Sequence, residues 1–188
     1  MKFSLALLPL LAVSACTDDP FEAQASSVEG IYRVDGHTRN EAACSPGGDP
    51  VEDTETFAVA KRGDVFGIET LQILSCADLA DCRVKASPAF AGPISFSFML
   101  TGVDGDALTG FEVTSGFTTS DATCEMPELS NLTLVMTGDA LQLEKRTQIG
   151  ADYTSTNGAC TTDQGRASAE AAPCSQLETL TATRLEDL

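Results

Sequence analysis

The chain has 188 residues, of which 28 are Asp or Glu and 11 are Lys or Arg, giving a formal net charge of −17. So acidic a surface excludes binding to nucleic acid through its phosphates, which calls for Lys and Arg, and opposes lying flat on anionic lipid. The length suits one domain with a core of ordinary size, and the charge keeps such a domain soluble.

Lys2 precedes an almost entirely apolar run, Phe3 to Val13, which the small residues Ser14 and Ala15 close. Charged, then apolar, then small is the order of a secretory signal. A run of that length rises only about 16 Å as a helix, against a hydrocarbon core of about 30 Å, so it is too short for an ordinary membrane span. Val13-Ser14-Ala15-Cys16 resembles the lipobox of bacterial lipoproteins. The resemblance implies cleavage before Cys16, diacylation of the Cys16 thiol and a further acyl chain on the new amine. Two or more chains, at about 0.8 kcal/mol per buried methylene, hold a protein stably at a membrane. Thr17 stands where an Asp commonly marks inner-membrane retention in that class, which implies the outer membrane, although Asp18 and Asp19 follow closely. The expected organisation is a signal peptide over residues 1–15, a lipidated Cys and flexible tether over 16–29, and a folded domain over 30–188.

Seven cysteines are present. With Cys16 lipidated, the others are Cys44, Cys76, Cys82, Cys124, Cys160 and Cys174, an even set that reads as disulfides in an exported chain. Cys76 and Cys82 enclose a short loop and are the first expected pair. Cys160 with Cys174 is the next most local choice, which leaves Cys44 with Cys124. A zinc site is the alternative, but none of these cysteines forms a C-x2-C pair and His37 is the only histidine.

In chain order, Ile31 to Asp35 alternates as a half-buried strand with Tyr32 and Val34 on one face. Thr38 to Thr54 has loop composition. Phe57 and Val59 mark a second strand, Arg62-Gly63 a tight turn, and Phe66 and Ile68 a third strand, so these read as a hairpin. The Cys76–Cys82 stretch reads as a small loop or single helical turn, and Arg83-Val84-Lys85 as a short strand. The clearest alternation is Ile94, Phe96, Phe98 and Leu100, which a pleated strand places on one face. Asp104-Gly105-Asp106 is a hairpin turn, with Phe111 and Val113 on the returning strand. Thr118 to Glu128 reads as a polar loop around Cys124. Leu132, Leu134 and Met136 form a strand, Gly138-Asp139 a turn, and Leu141 and Leu143 its partner. Arg166 to Ala172, rich in alanine, reads as a short helix. Thr179 to Leu185 reads as a last strand, since its threonines are β-branched. Tyr32, Val34, Phe57, Val59, Phe66, Ile68, Phe96, Phe98, Leu100, Phe111, Val113, Leu132, Leu134, Met136, Leu141 and Leu143 are expected to point inward.

This count gives an all-β chain: an antiparallel up-and-down barrel of about eight strands with one short helix before the last, closure being the best protection for sheet edges. A two-sheet β-sandwich is the alternative. Gly30-Ile31-Tyr32 is similar to the G-x-W motif on the first strand of lipocalin and related calycin barrels, with Tyr in place of Trp. The resemblance implies a helix before the closing segment, for which Arg166–Ala172 is the candidate, and an Arg stacked across the first-strand aromatic, for which Arg184 is the candidate.

Motifs for chemistry are few. His37 lies among Gly36, Thr38 and Arg39 and reads as a solvated turn residue rather than a catalytic base. No G-x-S-x-G, H-E-x-x-H or phosphate-binding glycine loop occurs. Glu41, Asp49, Glu52, Asp53 and Glu55 could gather calcium but lack EF-hand spacing and read as a solvated acidic loop. Asn131-Leu132-Thr133 matches a glycosylation acceptor, discounted because a lipobox implies a bacterium and Leu132 reads as buried. The expectation is therefore a monomeric, non-catalytic envelope lipoprotein without cofactor or metal. It is anchored by acyl chains on Cys16 and binds a small apolar ligand or an envelope protein. The alternative is a structural or interaction module with a filled core.

Overall fold

The alternating stretches join one antiparallel sheet of eleven strands. In the computed structural model, which describes residues 19–42, 44–52, 55–88, 90, 96–118, 122–155 and 158–188, the strands are β1 (Gly30–Asn40), β2 (Asp49–Pro50), β3 (Phe57–Val65), β4 (Ile68–Cys76), β5 (Ser97–Leu100), β6 (Gly102–Asp104), β7 (Ala107–Thr118), β8 (Thr123–Thr137), β9 (Ala140–Ile149), β10 (Tyr153–Thr154) and β11 (Cys174–Asp187). The helices are α1 (Pro20–Val28), α2 (Leu79–Lys85) and α3 (Thr162–Glu170). Cys16 with the rest of the lipobox, Asp53 and Ile94 lie outside the described residues.

The sheet order is β5-β4-β3-β1-β11-β9-β8-β7-β6. Its two ends, β5 and β6, are consecutive in the chain and separated only by Thr101, so the sheet curls into a nearly closed barrel. The Thr101 N–H donates to Thr109 O at 2.8 Å across this seam. Gly110 lets β7 approach there, since a Cβ on it would meet the Met99 carbonyl oxygen at 2.3 Å. A sandwich does not describe one continuous sheet. The eleven strands exceed the expected eight because the strand over 97–104 is broken at Thr101 and the two-residue β2 and β10 add short pairings to β1 and β8.

Among the described residues helices number three rather than one. The largest departure is α1, which occupies most of the stretch read as a tether. Asp19 caps it by accepting from the Phe21 N–H at 2.9 Å, with Pro20 in the first turn. Phe21, Ala25 and Val28 fall on one helical face and are buried in the main core with Tyr32, Leu71, Ile73, Phe98, Leu100, Leu108, Leu132, Leu134, Leu141, Leu143 and Leu180. The helix plugs one end of the barrel: Gln24 Nε2 donates to Gly105 O in the β6–β7 turn at 2.7 Å, and Glu22 and Glu29 pair with Arg62 on β3.

Several local readings change. Arg62-Gly63 lies within β3, and the turn is Phe66-Gly67, both at positive φ (56° and 82°). Arg83-Val84-Lys85 belongs to α2, whose N-cap Asp78 accepts from the Asp81 N–H at 2.8 Å. Residues 123–128 extend β8, because they pair with the ends of β7 and β10. Tyr32, Val34, Phe96, Phe98, Leu100, Leu132, Leu134, Met136, Leu141 and Leu143 do pack in or against the interior cluster. Phe57 and Val59 do not: they pack on the other face with Leu79 and Cys82 of α2, while Ala58 and Ala60 face inward. Phe111 and Val113 lie on the outer face of β7 below α3, where Arg166 sits 4.8 Å over the Phe111 ring and Val113 packs against Gly165. Phe66 and Ile68 are exposed at the hairpin tip. Alternation located the strands; apolar residues covered by a helix on the outside mimic an inward face.

Three disulfides staple the barrel. Cys76–Cys82 pairs as expected. The other two exchange partners: Cys44 joins Cys174 and Cys124 joins Cys160. Topology explains it. Antiparallel pairing of β1 with β11 brings the chain after Asn40 beside the start of β11, and pairing of Tyr153 with Cys124 brings the following segment, with Cys160, beside β8. Sequence proximity favoured Cys160–Cys174, but α3 separates them.

Candidate functional site

Inside the barrel, the end away from α1 is charged. On β1, Tyr32 and Val34 face inward in register with Arg184 and Ala182 of β11. Strict alternation would then turn His37 outward. A bulge between Val34 and Gly36 inserts one residue, so that His37 pairs with Leu180 and Arg39 with Glu178 on the inner face. His37 is therefore a buried residue, not a solvated turn residue. On β9, Lys145 continues the face of Leu141 and Leu143 and stands directly across from Glu178. Three neighbouring strands thus set Arg39, Glu178 and Lys145 side by side, an opposite-charge arrangement across strands.

His37 Nε2 lies 2.6 Å from Glu178 Oε1, with only 2% and 6% of the two side chains exposed. Arg39 Nη2 lies 3.3 Å from Glu178 Oε2. Lys145 Nζ reaches Glu112 Oε2 on β7 at 3.2 Å. The His37 ring meets Phe96 edge-on at 5.1 Å and Phe98 at 6.3 Å between centroids. Burial pushes the Glu178 carboxyl upward. The hydrogen bond from His37 and the charges of Arg39, His37 and Lys145 outweigh it and hold the group below the ordinary glutamate range. Glu178 is accordingly a carboxylate at neutral pH, and the imidazole N–H is the donor between them. Further along the same face Ser130 and Thr147 share a buried 2.9 Å hydrogen bond.

This charged row reaches the surface through Arg39. A cleft of about 700 Å³ is lined by Arg39, Asn40, Glu41, Asp49, Val51 and Glu52. Arg39 Nε is buried and has no hydrogen-bond partner among the described residues. An unpaired guanidinium Nε beside a buried carboxylate leaves this cleft with a donor for a polar ligand group.

At the α1 end the resemblance-derived pair forms. The Arg184 guanidinium carbon sits 5.6 Å over the Tyr32 ring, and Arg184 Nε donates to the Tyr32 hydroxyl at 3.1 Å. That hydroxyl donates to Val28 O at 2.5 Å, and Arg184 Nη2 donates to Ser27 O, so the pair closes the C-terminus of α1 as well as the barrel. Burial raises the Tyr32 pKa and keeps the phenol neutral. The helix before the last strand is α3, shifted a few residues toward the N-terminus of the expected stretch.

Glu41, Asp49 and Glu52 lie around the cleft, and among the described residues no group of three or more His, Cys, Asp or Glu side chains is placed to hold a metal ion. Leu132 is buried on the inner face of β8. Among the described residues no helix is long and apolar enough to cross a membrane. Compared with known proteins, the chain matches no family model, no curated protein and no solved structure.

Sequence reading took His37 for a solvated turn residue and singled out none of Arg39, Glu112, Lys145 and Glu178. No motif joins them, since they come from four strands. The one available signal was Lys145, which continues the alternation of Leu141 and Leu143 on a strand already expected to be half buried.

Proposed function

We propose that this protein is an exported bacterial lipoprotein, held at the outer membrane by acyl chains on Cys16. In this reading its lipocalin-like barrel is a non-catalytic binding module for a small ligand with an apolar body and a polar head. The observation that carries the binding reading is the row Arg39–Glu178–Lys145 with His37, in which Glu178 and His37 are buried and Arg39 and Lys145 half-buried. A barrel evolved only to be packed would fill that end with apolar side chains, because buried ion pairs seldom exceed apolar residues of the same volume in stability. The lipobox supports the anchor, and the three disulfides agree with an oxidising compartment. Gly30-Ile31-Tyr32, Arg184 over Tyr32 and a helix before the closing strand support the lipocalin likeness.

The well-filled interior between α1 and Leu143 favours a second reading, an interaction module without a ligand. Mass spectrometry of the protein purified natively from membranes separates the two and tests the anchor. The expected result is a chain starting at Cys16 with acyl mass and a stoichiometric small molecule that the variant Arg39→Ala loses. An acylated chain with no bound molecule would favour the module; a soluble chain without acyl mass would remove the anchor.

A further inference from the structure

The closed end of the barrel carries an unusual tip. Phe66, in the turn between β3 and β4, is fully exposed at 101% and holds a left-handed backbone (φ 56°), where Gly, Asn or Asp is the usual occupant. Ile68, beside it at the start of β4, is 57% exposed. Among the described residues no packing accounts for an aromatic ring at that position. The other hairpin turns at this end follow the ordinary rule, with Gly105 and Gly138 at positive φ.

The helix α1 begins at the same end. Asp19 caps α1, and Glu22 in its first turn pairs with Arg62 on the strand that leads to Phe66. Cys16 is three residues before Asp19, so even a fully extended connection spans only about 11 Å. Because α1 is packed into the barrel rather than part of a free tether, an acyl chain on Cys16 cannot let the domain tumble far from the surface.

From this we infer that the α1 end faces the bilayer and that Phe66, with Ile68 beside it, inserts into the lipid interface, leaving the charged row and its cleft turned away from the membrane. The inference rests on acylation of Cys16. The lipid is specified by charge: Asp64 and Glu69 flank the tip and Asp104, Asp106 and Asp139 lie in the neighbouring turns, so the surface it fits is zwitterionic phospholipid rather than anionic lipid.

The chain contains no tryptophan, so Phe66→Trp creates a single reporter at an exposed site. The variant purified from membranes is placed in phosphatidylcholine vesicles with and without brominated acyl chains, alongside Asp49→Trp at the other end of the barrel. The expected result is at least a twofold loss of emission by bromolipid for Phe66→Trp, none for Asp49→Trp, and a smaller loss for Phe66→Trp when anionic lipid is added. Equal emission with and without bromine for Phe66→Trp, or equal quenching of both variants, overturns the inference. Intact mass of the same samples shows whether Cys16 is acylated. An acylated but unquenched protein refutes the orientation alone, and an unacylated one refutes the anchor beneath it.

Discussion

Strand β9 turns Leu141 and Leu143 inward against Phe98, Leu134 and Leu180, and at its next inward position it turns Lys145. Strand β11 does the same in reverse, passing from Glu178 to Leu180 and Ala182. The barrel interior therefore has two halves built from the same strands with the same geometry. The half beneath α1 is apolar and gains its stability from area removed from water. The other half buries charge, and each of its charges is tolerated only because a neighbour compensates it. Stability comes from the first and a capacity to recognise polar chemistry from the second.

The contrast is broken most severely in the apolar half. Leu143 is fully buried, and Leu143→Ala removes packing that the surrounding strands, linked by ladder hydrogen bonds and disulfides, cannot close over. A loss of about 2–5 kcal/mol in unfolding free energy is expected from urea denaturation. A loss below about 1 kcal/mol would mean that this half is loosely filled, and the binding reading would then have to move there.

How far this division could be read in advance differs between the halves. Phe98, Leu100, Leu132, Leu134, Leu141 and Leu143 announce themselves by alternation, and they are the apolar half. Phe21, Ala25 and Val28 carried a helical spacing behind an Asp-Pro start, but so short a segment is weakly amphipathic by itself and becomes a helix because it packs over the barrel end. The charged half was illegible for a geometric reason. A single bulge after Val34 reverses which residues of β1 face inward, and its one local sign is Gly36, since a glycine within a strand often marks a bulge without fixing which face the following residues take. The partner exchange between Cys44–Cys174 and Cys124–Cys160 has the same origin, since strand pairing between distant segments, not spacing, decides which sulfurs meet.

A gentler break targets the charged half. Glu178→Gln keeps the volume and removes the charge that Arg39, His37 and Lys145 surround. The unfolding free energy is expected to fall by about 1–3 kcal/mol at neutral pH, less than for Leu143→Ala. The pH dependence identifies the cause. The folded-state pKa of Glu178 is depressed below its ordinary value of 4.5, so its contribution is fully present above that value and is lost as pH falls through the lower folded value. The gap between wild type and Glu178→Gln should therefore be constant from pH 7 to about pH 5 and close at more acid pH. A gap that persists unchanged at pH 3 would assign the effect to packing rather than charge.

The smallest expected effect concerns the outside of the closed end, where Phe66 departs from a region otherwise built for stability. A side chain with a Cβ at φ 56° costs about 1–2 kcal/mol relative to residues that accept that backbone, and full exposure of the ring recovers none of it. Phe66→Asn creates an Asn-Gly turn with Gly67, the preferred pair for a two-residue hairpin connection. Thermal unfolding of the unacylated protein should then show stabilisation by about 1 kcal/mol. The same substitution in the acylated protein should weaken its hold on zwitterionic vesicles. Gain in the one and loss in the other would mark Phe66 as a residue kept for contact at the expense of the fold; stabilisation with unchanged vesicle binding would leave the turn strained without a use.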